Sequence, residues 1–291
     1  MKPFLQQLGK FLAVLLLLNI LLYFISKQLY FKDYHDYSLN YKSYLFADSH
    51  GAPLEQSTQA FGVYNFSAKS DSYFDMVRKL RFLVRNTKID TVYLTADDHT
   101  LSPYRESANN MDGSEFYLSR SDYPNYYEYW KNQYLIPHVI FLQPKALSVI
   151  RIFIFSEIKK LMGGKKSDKR NGISEWMQLN EKERKEKSRV RANEQFPPGE
   201  PSEKLSTTLA EIIQICKENK IVLIGVKFPL TADYIQAQGS KSFKAEEVIR
   251  TAGFEVQDFT EVFKDNSDCF ENQDHLNEAG GKKFVKEWLG K

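Results

Sequence analysis

The chain has 291 residues, a formal net charge of +3 and 26% charged residues. That length holds one sizeable α/β domain plus an anchor, or two small domains. The near-neutral balance gives no global case for nucleic-acid binding. No metal-ligand spacing such as CxxC or HExxH occurs, so no metal is expected. Aromatic residues make up 14%, which suits a carbohydrate-facing surface and an ordinary core equally well.

The first element is apolar. Phe11 to Ser26 carries no charge and is mostly Leu, Ile, Val and Phe, with Asn19 the one strongly polar break. With Phe4, Leu5 and Leu8 before it and Leu29, Tyr30 and Phe31 after it, a membrane span of about 20 residues is within reach. A buried amphipathic helix would show a polar face, and this run shows none. No small-x-small cleavage site follows it, where Tyr23-Phe24-Ile25-Ser26-Lys27-Gln28 stands. Residues 1–32 are therefore expected to be an uncleaved signal anchor. Lys2, Lys10 and the free amine favour an N-terminus inside the cytoplasm, with the remainder extracytoplasmic or periplasmic. Residues 33–42 are polar and tyrosine-rich, and are expected as a tether.

From there strands and helices alternate. Tyr44 to Ala47 is expected as a strand and Val63 to Phe66 as a second, with a loop over Ser67 to Ser70. A helix capped by Asp71 or Ser72 follows, to about Asn86. The β-branched run Ile89 to Ala96 is expected as a third strand. The alternation then stops. Residues 97–133 look irregular. Ile136 to Met162 is apolar with sparse charge, which suits a packed helix or one lying on a membrane surface better than a second span. Gly163 to Gly172 is expected as a basic loop. Glu181 to Arg191 alternates charge signs as a solvated helix face does. Phe196-Pro197-Pro198-Gly199 ends this stretch. The alternation resumes with a helix from Ser206 to about Lys220, a buried strand over Ile221 to Val226, a helix over Lys244 to Ala252, a fifth strand over Phe254 to Phe259, and a last helix over Glu278 to Leu289. The expectation is an α/β domain over 43–291, three layers deep. Its five-stranded, mostly parallel sheet is interrupted by a largely helical insertion at about 97–205.

Cys216 and Cys269 could form one disulfide outside the cytoplasm. Cys216 also falls in the helical pattern Leu209-Ile212-Ile213-Ile215-Cys216, where cysteine serves as a small core residue.

Two short blocks carry the chemistry. Ala47-Asp48-Ser49-His50 puts a serine where an apolar strand meets turn-forming residues. Asp274-His275-Leu276-Asn277 puts a histidine beside a carboxylate, just before the last helix. A serine hydroxyl, a base to take its proton and a carboxylate to orient the base are the parts of nucleophilic catalysis.

On these two blocks, and on the order of the elements between them, the chain resembles the SGNH (GDSL-like) hydrolase superfamily. Val63-Tyr64-Asn65-Phe66-Ser67-Ala68 lies where that family has its second block. Thr95-Ala96-Asp97-Asp98-His99 lies where many members carry Gly-x-Asn. The resemblance covers most of residues 43–96 and 206–291, and implies a flavodoxin-like sheet with Ser49 as nucleophile and His275 as base. Where the family has an aspartate three residues before the histidine, this chain has Asn272. Asp274 is the nearest carboxylate, with Asp268 and Glu271 further off. Oxyanion or substrate contacts would come from Asp48, His50, Ser67, Ala68, Asp97 and His99. The anchored form looks like the extracytoplasmic SGNH-like partners of membrane-bound O-acyltransferases. The implied activity is hydrolysis or transfer of an acyl ester on a cell-envelope glycan, with a membrane-bound O-acyltransferase as a partner. The alternative is a non-catalytic SGNH-like protein that binds a glycan or the acyltransferase.

Overall fold

The computed structural model describes residues 2–161 and 174–290. The stretch expected as a basic loop, Gly163 to Gly172, lies outside the described residues. The chain divides into two compact units, Met1–Tyr37 with Asp112–Asp168, and Ser38–Met111 with Lys169–Lys291. The main elements are α1 (Lys2–Leu29), β1 (Ser43–Phe46), β2 (Val63–Asn65), α2 (Tyr73–Asn86), β3 (Thr91–Thr95), α3 (Pro144–Leu161) and α4 (Glu181–Gln195). They continue with α5 (Glu203–Glu218), β4 (Val222–Lys227), α6 (Ala232–Gln238), α7 (Ala245–Thr251), β5 (Glu255–Asp258) and α8 (Glu278–Leu289).

In the second unit the five strands form one all-parallel sheet in the order β2-β1-β3-β4-β5. Leu45 of β1, the strand next to the edge, sits between Asn65 of β2 and Tyr93 of β3. Parallel strands are covered on both faces and so run nearly continuously apolar. Tyr44, Leu45, Phe46, Val92 and Leu94 are all at most 1% exposed. Successive side chains alternate between faces. Leu45 and Ala47 pack with Phe284, Val285 and Trp288 of α8, while Tyr44 and Phe46 point to the opposite face. In β4 a Cβ at Gly225 would lie 2.8 Å from Val256 Cγ2, so glycine lets the edge strand β5 come close.

The helices follow local rules. Ser72 begins α2, where its backbone N–H donates to Asp75 Oδ2 at 2.8 Å in a capping box. Ser202 caps α5 by accepting from the Leu205 N–H. Leu205, Leu209, Ile212 and Cys216 form the buried stripe of α5, which packs on α2. Asn277 caps α8 by accepting from the Gly280 N–H at 2.8 Å. A Cβ at Gly281 would lie 2.3 Å from the Pro53 carbonyl oxygen. The start of α8 therefore rests on the backbone that follows Ser49, and this brings the two ends of the domain together.

The strands appear where the alternation placed them, with β1 and β4 shifted by one residue and the other three shorter at their ends. The stretch from residue 97 is less irregular than expected, with single helical turns such as Tyr104–Ser107. Both cysteines are free and buried, so they do not form the disulfide that the sequence allowed. Burial pushes the Cys216 thiol up to about 12.

In the first unit, α1 is one helix long and apolar enough to cross a membrane. The helix α3 packs against it. Part of the expected tether is built into this unit: Tyr34 is buried, and its carbonyl accepts the Tyr117 hydroxyl at 3.0 Å.

Candidate active site

A sheet of order 2-1-3-4-5 has its topological switch point between β1 and β3, and ligands of open α/β sheets bind outside the carboxyl ends of the strands there. Asp48-Ser49-His50 forms the turn that leaves β1, and Asp97 leaves β3. His275 arrives from the loop before α8.

The Ser49 hydroxyl donates to His275 Nε2 at 2.7 Å, across 226 residues of sequence. His275 Nδ1 donates to Asn272 Oδ1 at 2.9 Å. That amide oxygen also accepts the backbone N–H groups of Asp274 and His275, at 3.1 and 3.0 Å. Two backbone donors can face only the oxygen of an amide, which fixes the Asn272 orientation and puts the histidine proton on Nδ1. Nε2 is then left with a lone pair aimed at the serine.

Asp274 Oδ1 also lies 2.9 Å from His275 Nδ1, but off the hydrogen-bonding direction, and it makes no aligned hydrogen bond. Asn272 thus orients the imidazole while Asp274 sets a negative charge beside it. Asp274 Oδ2 accepts from Arg191 Nε at 2.8 Å and from Gln195 Nε2 at 3.1 Å, both on α4. Tyr234 in turn donates to Gln195 Oε1. Burial would raise the Asp274 carboxyl, but His275, His50 and Arg191 hold it well below the usual carboxylate range.

Behind the serine lies a second layer. His50 Nδ1 is 2.7 Å from Asp97 Oδ2, and His50 Nε2 is 4.0 Å from Asp274 Oδ2. Asp97 also accepts from the Phe228 N–H and the Thr95 hydroxyl, at 2.8 and 3.0 Å. Asp48 accepts the His50 N–H at 2.9 Å and sits 3.3 Å from both His99 Nε2 and Arg105 Nη2. Burial would lower the His50 imidazole, but Asp48, Asp97 and Asp274 raise it well above its ordinary value. Burial lowers His99 despite Asp48. Among the described residues, His50, Asp274 and His275 are the one group with potential metal-ligand atoms all within 4.8 Å. Both ring nitrogens of His275 are already hydrogen-bonded, and His50 Nδ1 is taken by Asp97, so this geometry fits a hydrogen-bond network rather than a metal cage.

A groove of about 520 Å³ opens over the pair, with Ser49, Lys69, Ser70, Asn272, His275 and Glu55 among its lining residues. Of the positions expected to contact substrate, Asp48, His50, Asp97 and His99 do not line it. All four are at most 4% exposed and are held by buried partners: one another, Thr95, Arg105 and the Phe228 N–H. Ser67 Oγ accepts the Ala47 N–H, and the Ser67 N–H donates to Asn65, so this residue braces the β1 turn. Ala68 accepts the Asp71 N–H with its carbonyl and does not line the groove. Lys69 and Ser70, from the same loop, do.

Arg191 and Gln195 were not expected here. Their helix was expected as a solvated face, and most of it is exposed. Ser188, Ala192 and Gln195 are nevertheless buried at spacings of four and three. That thin stripe of small and neutral residues is the one signal in the sequence that α4 has an inner face. No protein-family model matches the chain, and no curated protein matches it.

Replacing Arg191 with Met keeps the aliphatic stem but leaves the buried Asp274 carboxylate short of its cation. Breaking such a pair costs about 3–5 kcal/mol, so a clear fall in the thermal midpoint is expected, with Arg191→Lys recovering only part of it. The raised His50 value adds stability in full below the unfolded histidine pKa of about 6.5, and that stability is lost as pH rises through the folded value. The depressed Asp274 and Asp48 values act in the opposite sense, adding stability above about 4 that is lost as pH falls. Thermal midpoints measured against pH should therefore decline on both sides. His50→Gln should flatten the alkaline decline and, because His50 also holds the Asp48 and Asp274 carboxyls down, shift the acid decline as well.

Proposed function

We propose that this protein is an SGNH-like serine acyl-ester hydrolase or O-acyltransferase that modifies a cell-envelope glycan. The observation that carries the reading is the 2.7 Å hydrogen bond from Ser49 to a histidine whose other nitrogen is already committed as a donor. That bond favours an enzyme over a non-catalytic binding protein, because an idle serine needs no correctly tautomerised base.

In the proposed reaction, Ser49 Oγ attacks the acyl carbonyl while His275 Nε2 takes the hydroxyl proton. The imidazolium that forms keeps its Nδ1 bond to Asn272 and gains the Asp274 charge beside it, which stabilises it as the carboxylate of a triad does. Lys69 and Ser70, which line the groove, and the Ser49 backbone N–H are the candidate donors for the developing oxyanion. Collapse expels the alkoxide, which takes the proton from Nε2 and leaves Ser49 acylated. Water or a sugar hydroxyl then gives its proton to Nε2 and attacks the acyl-enzyme; the acyl–Oγ bond breaks, Ser49 Oγ recovers the proton from Nε2, and the acid or the new ester is released.

The groove mixes polar side chains such as Lys69, Asn272 and Glu271 with the apolar Ala52, Pro53 and Leu276, which suits a substrate that joins a hydroxylated acceptor to an acyl group. Anchoring through α1, with the sheet domain on the extracytoplasmic side, agrees with the lysines at its N-terminal end. A membrane-bound O-acyltransferase would then be the partner that supplies or receives the acyl group.

Hydrolysis of p-nitrophenyl acetate by the full chain in detergent tests the chemistry. Ser49→Ala and His275→Ala are each expected to lower kcat by about 10³-fold or more. Asn272→Ala should lower it by about 10²-fold or more through loss of the productive tautomer. Activity that survives Ser49→Ala unchanged would end the serine reading.

A further inference from the structure

The first unit holds more apolar surface than a single anchor requires. Every residue of α1 from Phe4 to Leu18 is exposed. The uncharged part of that stretch, Phe11 to Leu18, is roughly 12 Å long at about 1.5 Å per residue. The hydrocarbon core of a bilayer is about 30 Å thick. A helix that crosses it with Lys10 at one boundary must keep about 18 Å more at hydrocarbon depth, or about twelve further residues.

The next residues, 19–26, are where protein begins to cover α1. Asn19, Leu22, Tyr23 and Ile25 are partly buried and Ser26 is fully buried. Asn19 Nδ2 donates to the His138 carbonyl, and Asn19 Oδ1 accepts the Ile140 N–H, both at 2.9 Å. The His138 ring stacks on Tyr23 at 5.2 Å. These contacts fix residues 138–140 at the level of Asn19. This short break between helical stretches has backbone groups that lipid cannot satisfy, and the asparagine amide satisfies two of them.

From that level the chain enters α3. Ala146 and Ile150 are buried, whereas Phe141, Leu142, Ile152, Phe153, Ile154, Phe155, Ile158 and Leu161 are 40 to 87% exposed. Four of these are consecutive, so they point around the whole helix rather than along one stripe. A helix that merely lay on a watery surface would not carry them. Lys145 pairs with Asp112 at 3.5 Å, and further along the helix Arg151 and Lys159 have long basic side chains that can reach anionic headgroups from hydrocarbon depth.

We propose that residues 139–161 form a second lipid-embedded element, seated against α1 in the leaflet through which the C-terminal end of α1 leaves the membrane. The occupant of the exposed apolar surface is lipid acyl chain, and anionic headgroups meet the basic residues. The proposal rests on reading α1 as a membrane anchor and adds a second, internal attachment.

Nitroxide labels on Phe155→Cys and Ile158→Cys, in the full chain reconstituted into phosphatidylcholine–phosphatidylglycerol vesicles, test it. The native cysteines are 0% exposed, which keeps background labelling low. Labels on Leu17→Cys in α1 and Val262→Cys, a position 42% exposed in the other unit, serve as references. Collisions with oxygen, which concentrates in lipid, are expected to exceed those with a water-soluble nickel chelate several-fold at 17, 155 and 158, with the reverse at 262. If 17 favours oxygen while 155 and 158 both match 262, the second attachment is wrong and the anchor stands. If 17 also matches 262, the anchor fails and this inference fails with it.

Discussion

Burying a carboxylate costs several kcal/mol unless partners replace the lost water, and Asp274 is 1% exposed. Its partners come from its own loop and from two distant parts of the chain. His275 lies beside it in sequence, Arg191 and Gln195 reach it from α4, and His50 approaches from the turn after β1. None of these segments can move far without exposing or orphaning the charge. The same constraint that stabilises the loop before α8 therefore sets the imidazole against Ser49.

The division of labour at His275 follows from local geometry. Asn272 accepts three N–H groups at 2.9 to 3.1 Å with one oxygen, and so folds the loop and fixes the ring. An adjacent residue such as Asp274 cannot easily align with its neighbour's ring, and its Oδ1 indeed lies close without aligning. Charge and orientation, which one aspartate supplies together in a Ser-His-Asp triad, are split between two residues here. The buried His50, raised by the carboxylates around it, balances charge beneath the site and does not line the groove over Ser49.

Much of this was legible in the sequence, because strands and caps are local. The runs at Tyr44 to Ala47 and Ile221 to Val226 carry their own β signal, and Ser49 and His275 fall at the ends of elements. Asn272 was legible as a departure from an expected aspartate, but its three-way acceptor role depends on how the loop bends. The burial of Asp48, His50, Asp97 and His99 was not legible, since polar residues after strands are as often exposed as enclosed. Arg191 was hidden for a similar reason. It contacts Asp274 across 83 residues, from a helix whose charge pattern matches a solvated one. The depth of Ile140 beside Asn19 likewise spans 121 residues and has no local signature.

The central claim is that Ser49 is a nucleophile made reactive by His275. Intact-mass and peptide-mapped mass spectrometry of the full chain after exposure to a fluorophosphonate tests it most directly. The account predicts a single adduct, located on Ser49, that does not form in His275→Ala. No adduct on the folded wild-type protein, or one on another residue that persists in Ser49→Ala, would contradict it.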